Sequence, residues 1–131
     1  MLVASIAWDG LADESKDSVT NLLQQHPAYE VDWKKGFKKH GKDVPLGKYL
    51  MMRAARWPDD IKGKDHPNHD LRHNMWHFIN YEIHFDGEDN TNPEESPKGN
   101  ILMAIKESNK LFLDGTQTME NRAIHLSWLI H

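Results

Sequence analysis

The segment from residue 45 to residue 62 reads PLGKYLMMRAARWPDDIK and carries the clearest helical pattern in the chain. Apolar side chains recur along it at helical spacing, at Leu46, Leu50, Ala54 and Trp57. Proline is tolerated in the first turn of a helix, which suits Pro45, and Pro58 disfavours helical backbone at the residue before it. We therefore predict a helix from Pro45 to Trp57, with Asp59 and Asp60 at its exit.

The rest of the chain predicts an all-α fold with long loops. Further helices are expected over residues 1–7, 13–25, 29–39, 100–113 and 119–131. The first of these is apolar and has no capping residue, so we expect the end of a buried helix, whereas Thr118 can cap the last. Residues 66–73 and 86–98 are predicted as loops, and the aromatic stretch 78–85 as extended. Residues 1–131 then form a single domain.

The composition limits the partners of the chain. There is no cysteine, which excludes disulfides and thiolate metal sites, while histidine is frequent, at 9 residues. The formal net charge of −4 provides no overall field that attracts nucleic acid or an anionic membrane. No apolar run approaches the roughly 18–20 residues that a membrane span needs. Contact with nucleic acid must therefore be local or be made through a metal ion.

Carboxylate and imidazole groups that suit a metal such as zinc occur at three points. Asp59 stands at the predicted helix exit, and His77 lies within an aromatic run. His131 lies on the apolar face of the last helix, and its assignment as a ligand depends on the family resemblance described below. Each also has a simpler interpretation. Asp59 can be an exposed acid, His77 a core histidine bonded to a backbone carbonyl, and His131 a frayed terminal residue.

Other residues of this region are given structural interpretations. Loop residues exposed to solvent are expected at His66, His69 and His73. Asp70 is a candidate acceptor of a hydrogen bond from the ring nitrogen of His77 that does not face the metal. Three tryptophans are predicted to be core residues rather than platforms for stacked bases, namely Trp57, Trp76 and Trp128.

Four short blocks of the sequence occur in an order and spacing that a known family shares. They are Met52–Lys62 with Trp-Pro-Asp, Trp76–Asn80 with Trp-His-Phe-Ile, Asn100–Ile105 with Asn-Ile-x-x-Ala-Ile, and Leu126–His131, which is similar to the start of Leu-Arg-Phe-Leu-Val-His. Together they resemble the zinc-dependent, single-strand-specific nucleases of the S1/P1 type, which are related to bacterial zinc phospholipase C.

The resemblance implies an all-α, phospholipase C/nuclease-like domain with a trinuclear zinc cluster. Such enzymes hydrolyse single-stranded DNA and RNA and remove 3′-phosphates from nucleotides. The resemblance matches Asp59, His77 and His131 with three protein ligands of one zinc ion, and Asp60 with the neighbour of a ligand. Family members are generally secreted or periplasmic, while the sequence itself leaves the localisation of this chain unknown.

The family pattern extends past both ends of this chain. Members begin with Trp-Gly-x-x-Gly-His, whose terminal amine and histidine bind zinc, and continue after the position of His131 with Gly-Asp and His-Gln-Pro. We therefore expect about half of a family domain, truncated at both ends. Because three ligands cannot build a multinuclear centre, we expect the chain alone to be inactive as a nuclease.

Two alternatives remain open from the sequence. The parent enzyme can be a phospholipase C-type phosphodiesterase that shares the metal chemistry but acts on another substrate. Alternatively, the chain can be a non-catalytic helical remnant or interaction module. In that case Leu2–Ile6 and Trp128–Ile130 would expose apolar surface and favour self-association.

Overall fold

The computed structural model describes residues 1–41, 43–79 and 99–131, and these ranges contain helices and no strand. The α-helices of these ranges are α1 (Leu2–Asp9), α2 (Asp13–Leu23), α3 (Lys34–His40), α4 (Leu46–Asp60), α5 (Ile101–Leu113) and α6 (Met119–Ile130). A π-helix over Tyr29–Trp33 runs directly into α3, and two 3₁₀ turns span His69–Leu71 and Asn74–His77. The all-α prediction is confirmed.

Helix α4 is the centre of the fold. It packs against α1, α2 and α6, and α6 in turn packs against α5. Leu50, Ala54 and Trp57 on α4 are all buried, as their helical spacing predicted. Full burial of a large apolar side chain contributes roughly 1.5–3 kcal/mol, so this stripe is a main source of stability.

A glycine allows the neighbouring helices to approach the start of α4. A Cβ atom at Gly47 would overlap the side chains of Thr20 on α2 and Trp8 on α1. Trp8 is itself buried in the core. Gly47 is therefore required for close packing of three helices rather than for backbone freedom.

Helix α4 continues through Pro58, and the prediction that it ends at Trp57 is wrong. The N–H of Ile61 still bonds to the carbonyl of Trp57 at 3.0 Å. Proline loses its own N–H bond and its ring crowds the preceding turn, and in the last turn of α4 the burial of the Pro58 ring offsets this cost. Asp59 is consequently held on the helix rather than on a loop after it.

Helix α1 is exposed where the sequence predicted burial. Leu2, Val3 and Ile6 are 75%, 80% and 64% exposed, while Ala4 and Trp8 form the buried face. Only one face of α1 packs, because α4 is its main neighbour among the described residues. The expectation that residues 1–7 form part of a buried helix is therefore wrong. The exposed apolar surface over Leu2–Ile6, which was expected for a non-catalytic module, is found at Leu2, Val3 and Ile6.

The other apolar end behaves in the opposite way. Trp128 is 7% exposed and belongs to the hydrophobic core, so the expected exposed surface over residues 128–130 is not found. The predicted core positions of Trp57 and Trp128 are confirmed, and Trp76 is half-buried against the same core. None of the described helices is both long and apolar enough to cross a membrane.

The predicted start of the last helix is confirmed. The side chain of Thr118 accepts a hydrogen bond from the N–H of Asn121 at 3.1 Å, as an N-cap does. Asn100 caps α5 in the same way, with its side-chain oxygen accepting from Leu102 and Met103. Phe78 has extended backbone, but most of the predicted extended stretch and the predicted loop 86–98 lie outside the described residues.

Candidate metal centre

Three side chains from distant parts of the chain converge beside the C-terminal end of α4. Asp59, His77 and His131 each offer one ligand atom, and these atoms all lie within 4.8 Å of one another. Within the part of the chain that the structure describes, no other group of three such side chains meets this condition. The convergence joins three parts of the fold, since Asp59 lies in the last turn of α4, His77 ends a 3₁₀ turn and His131 follows α6.

The orientation of His131 is fixed by the backbone of α4. Its Nδ1 lies 2.9 Å from the carbonyl oxygen of Ala55, one turn before Asp59. A carbonyl can only accept, so Nδ1 carries the hydrogen and Nε2 carries the lone pair. A histidine bonded in this way presents a fixed ligand nitrogen, which is how metal-binding histidines are commonly held.

His77 faces both partners from a buried position. Its side chain is 7% exposed, and its Nδ1 lies 2.8 Å from Nε2 of His131 and 3.6 Å from Oδ1 of Asp59. Two imidazole nitrogens at this distance need a hydrogen or a cation between them. The Nε2 atom of His77 is buried and has no hydrogen-bond partner among residues 1–41, 43–79 and 99–131. The expected simple alternative, a core histidine bonded to a backbone carbonyl, does not describe this ring.

Aromatic rings enclose the two histidines on the protein side. The ring of Trp128 meets His77 edge-on at 5.3 Å and His131 at 6.2 Å between centroids. Trp76 packs edge-on against Trp128 at 5.2 Å, and His73 stacks on Trp76 at 3.9 Å. We call Trp76 and Trp128 the aromatic wall. Trp128 thus covers one side of both imidazoles, and Trp76 supports Trp128 from behind.

The charges favour the protonation states that bind metal. A hydrogen bond from Lys62 lowers the pKa of the Asp59 carboxyl, and the nearby His131 and His77 add to the effect. Burial lowers the pKa of His77, and the neighbouring Lys62 and His131 act in the same direction against the opposing effect of Asp59. At neutral pH the group is therefore an ionised carboxylate with a neutral His77, and metal binding requires these forms.

The donor set fits a small divalent cation, and one of its three separations matches that of a zinc site. Zinc–ligand distances of about 2.1 Å in a tetrahedral site place neighbouring ligand atoms about 3.4 Å apart. The 3.6 Å separation of His77 Nδ1 and Asp59 Oδ1 is close to this value, and the 2.8 Å separation of the two imidazole nitrogens is shorter. Two imidazoles and one carboxylate suit zinc and leave a coordination position for water or substrate.

The other predicted residues lie outside this group. Asp60 bonds to Arg56 at 2.8 Å and lines a separate cleft of about 450 Å³ on the next face of α4. Asp70 is exposed and is not among the partners of His77 in the described residues. His66 and His69 are half-buried rather than solvated, and His69 Nδ1 bonds to the Ile61 carbonyl at 3.0 Å.

Sequence reasoning missed two groups that shape the centre. Lys62 donates to Asp59 at 2.7 Å, and the spacing of three residues between an acid and a lysine could have indicated this pair. The carbonyl of Ala55, which orients His131, is a backbone atom and leaves no signal in residue types.

Comparison with known proteins agrees with the resemblance of the four blocks. The family model described as S1/P1 Nuclease matches residues 1–131, which is the entire chain. No curated protein and no solved structure matches this chain. The observed all-α fold is consistent with this family. The chain belongs to the S1/P1 nuclease family, whose members are hydrolases that act on phosphoric ester bonds.

Proposed function

We propose that Asp59, His77 and His131 hold one zinc ion that serves the hydrolysis of phosphodiester bonds in single-stranded DNA and RNA and of 3′-nucleotides. The single observation that carries this proposal is the convergence of one carboxylate and two imidazoles within 4.8 Å. Membership of a nuclease family adds the class of substrate, which is nucleic acid.

The chain's own residues have separate tasks in this proposal. Asp59 supplies a negative charge and an oxygen ligand, while His77 and His131 supply neutral nitrogen ligands. The carbonyl of Ala55 keeps the lone pair of His131 Nε2 directed at the centre. When bound, zinc polarises a phosphoryl oxygen and lowers the pKa of a water molecule.

Lys62 adds a positive charge next to the ligands. Its Nζ lies 2.7 Å from Asp59 Oδ1. A phosphate group that enters the centre would meet this cation at the edge of the site. We propose that Lys62 draws the anionic substrate to the metal and keeps Asp59 ionised until metal binds.

The number of ligands limits what this chain can do by itself. The three ligand side chains found among the described residues suffice for one metal ion, whereas the multinuclear centre implied by the family resemblance needs more. We therefore propose that residues 1–131 form part of a nuclease domain and that they hydrolyse nucleic acid weakly or not at all without further ligands.

A zinc titration of the purified chain tests the metal site. We expect one equivalent of zinc to bind, and His77→Ala and His131→Ala each to weaken binding at least about 100-fold because a ligand is lost, a larger effect than the 10–100-fold typical of outer partners. His69→Ala is the matched control, since His69 is a nearby histidine outside the group, and it should leave the affinity unchanged. Equal zinc affinity in all four proteins would overturn the assignment.

The substrate class needs a separate assay. The zinc-loaded chain is compared on single-stranded DNA, on a 3′-nucleotide and on a lipid head-group ester. Weak cleavage confined to the first two, and abolished in His77→Ala, supports the nuclease assignment. Preferential cleavage of the lipid ester would instead support a phospholipase C-type enzyme. Rapid multiple-turnover cleavage of DNA by the chain alone would contradict the proposal that it is incomplete.

A non-catalytic interaction role is the second candidate, and one observation favours it. The exposed face of α1 presents Leu2, Val3 and Ile6 side by side at helical spacing. Sedimentation of the chain and of a Leu2→Gln/Val3→Gln/Ile6→Gln variant tests it. If only the original chain self-associates, α1 is an interaction surface, and a monomer in both cases removes this candidate.

A further inference from the structure

A dense run of lysines occupies α3 and the two residues after it. Residues 34–42 read KKGFKKHGK, with five lysines and no acid, in a chain whose formal net charge is −4. The rest of the chain therefore carries an excess of acidic residues. A cationic segment in an otherwise acidic protein marks a local site for a polyanion.

The lysines of α3 share one face. At 100° per residue, Lys34, Lys35, Lys38 and Lys39 fall within a sector of about 140°. The opposite face is turned inward, since Phe37 packs on the ring of Tyr49 at 5.3 Å between centroids. We call the surface formed by Lys35, Lys38 and Lys39 the basic face.

The basic face is available to a ligand. All three of its side chains are exposed, and in the described part of the chain no ion pair or hydrogen bond engages any of them. Lys34 differs from them because it is paired with Glu30 at 2.7 Å. The three unpaired ammonium groups therefore interact with solvent and are free to release counterions when a polyanion binds.

The position of α3 relates the basic face to the metal centre. Phe37 contacts Tyr49, and Tyr49 precedes Asp59 by ten residues of the same helix. At 1.5 Å per residue this separation is about 15 Å along α4. A single strand of a few nucleotides spans such a distance.

We infer that the basic face of α3, formed by Lys35, Lys38 and Lys39, binds the phosphate backbone of a single-stranded nucleic acid whose scissile bond lies at the metal centre. The inference rests on the proposed function for the identity of the strand. It adds a second, sequence-independent contact surface that holds substrate through charge alone. Short substrates that fill only the metal centre do not reach it.

The test measures binding without catalysis. A fluorescent oligothymidylate long enough to reach from α3 to Asp59 is titrated with the chain in the presence of a chelator, over a range of salt concentrations. The variant is Lys35→Gln/Lys38→Gln/Lys39→Gln. The matched control is Lys16→Gln/Lys64→Gln/Lys110→Gln, which removes the same charge from scattered positions.

We expect the α3 variant to bind at least about tenfold more weakly at low salt. The slope of the logarithm of the affinity against that of salt should fall by about 2, since each phosphate contact on a single strand contributes about 0.7. The control variant should keep most of the affinity at low salt and most of the slope of affinity against salt. Equal slopes in the two variants, no binding by the original chain, or binding to anionic vesicles in preference to the strand would each overturn the inference.

The result is separable from that of the proposed function. Binding that depends on α3 in a chain without zinc-dependent hydrolysis supports the basic face and contradicts the catalytic proposal. Zinc-dependent hydrolysis by a chain whose two variants show equal salt slopes supports the catalytic proposal and contradicts the basic face.

Discussion

Two histidine–tryptophan clusters contact α4, and they differ in what faces the imidazole nitrogens. In the first, His26 stacks on Trp33 at 4.4 Å and meets Trp57 edge-on at 4.6 Å. In the second, Trp128 encloses His77 and His131. We call the first the core cluster. Similar residue types occur in both, so aromatic surroundings alone do not identify a metal ligand.

The contents of the two clusters explain their different chemistry. His26 Nδ1 accepts a hydrogen bond from the Ala28 N–H at 3.1 Å. Burial lowers the pKa of His26 from its ordinary 6.5 to about 3, so the ring is neutral at all physiological pH values. At the candidate metal centre a carboxylate faces the imidazoles, and their nitrogens converge. Burial makes a histidine neutral, and convergence with a carboxylate makes it a candidate ligand.

The largest expected effect comes from opening the core cluster. Trp33 is 1% exposed, and Trp33→Ala should lower the free energy of unfolding by about 3–5 kcal/mol, as for other buried aromatic residues. Urea denaturation followed by circular dichroism measures it. A loss below about 1 kcal/mol would show that the core cluster contributes little to stability.

The second prediction concerns acid sensitivity of the core cluster. Because the folded-state pKa of His26 is lower than the unfolded-state value, the unfolded chain takes up the proton first. Stability is therefore full above pH 6.5 and falls as the pH decreases towards 3, by at most about 1.4 kcal/mol per pH unit. By pH 5 the His26 contribution to this loss is about 2 kcal/mol.

The variant His26→Gln isolates this contribution. Glutamine can still accept the Ala28 N–H but does not titrate. Denaturation curves at several pH values should show a clearly smaller slope in the variant. Burial also lowers the pKa of His73 and of His125, so a residual slope of the same sign is expected. An unchanged slope would show that His26 is not the acid-sensitive group.

Part of the helical fold was predictable from the sequence, and part was not. The apolar spacing of Leu50, Ala54 and Trp57 was sufficient for α4, because burial against several helices reinforces the local pattern. Pro58 was misinterpreted, since in the last turn of a helix the burial of the proline ring offsets the lost backbone bond and the crowding of the preceding turn. The exposure of α1 depends on which neighbours are present, which no local pattern encodes.

At the candidate site, too, part of the arrangement was predictable from the sequence and part was not. The resemblance of four blocks gave Asp59, His77 and His131, and the structure brings these three residues together, although their role as ligands stays a prediction. The hydrogen bond from His131 to the Ala55 carbonyl and the contacts of Trp128 arise only from tertiary packing. Side-chain type predicts which groups are able to bind metal, and packing decides which of them meet.

The third prediction separates the two clusters by exchanging tryptophan for phenylalanine. Trp128→Phe shortens the aromatic wall beside both imidazoles, so we expect zinc affinity to fall by about tenfold, as for other outer partners of metal ligands. Trp33→Phe is the matched control in the core cluster and should change zinc affinity by less than about twofold. Calorimetric titration gives both values. Equal losses would mean that only general stability is being measured.

The smallest expected effect concerns the charge beside Asp59. Lys62→Met removes an exposed ion pair that competes with metal for the carboxylate. Because such pairs contribute about 0.2–1 kcal/mol, we expect zinc affinity at neutral pH to rise by at most about fivefold. The variant also loses the hydrogen bond that lowers the pKa of Asp59, so the acid limb of zinc binding should move to higher pH. A loss of affinity at neutral pH would indicate that Lys62 supports the metal rather than competing with it.

The most direct test of the central claim is X-ray absorption at the zinc edge on the chain loaded with one equivalent of metal. The account predicts a shell of nitrogen and oxygen neighbours at about 2.0–2.2 Å, with outer scattering from two imidazole rings. In a His77→Ala variant the imidazole scattering should fall to that of one ring. A spectrum without imidazole, or one that His77→Ala leaves unchanged, would contradict the assignment of Asp59, His77 and His131 as the metal centre.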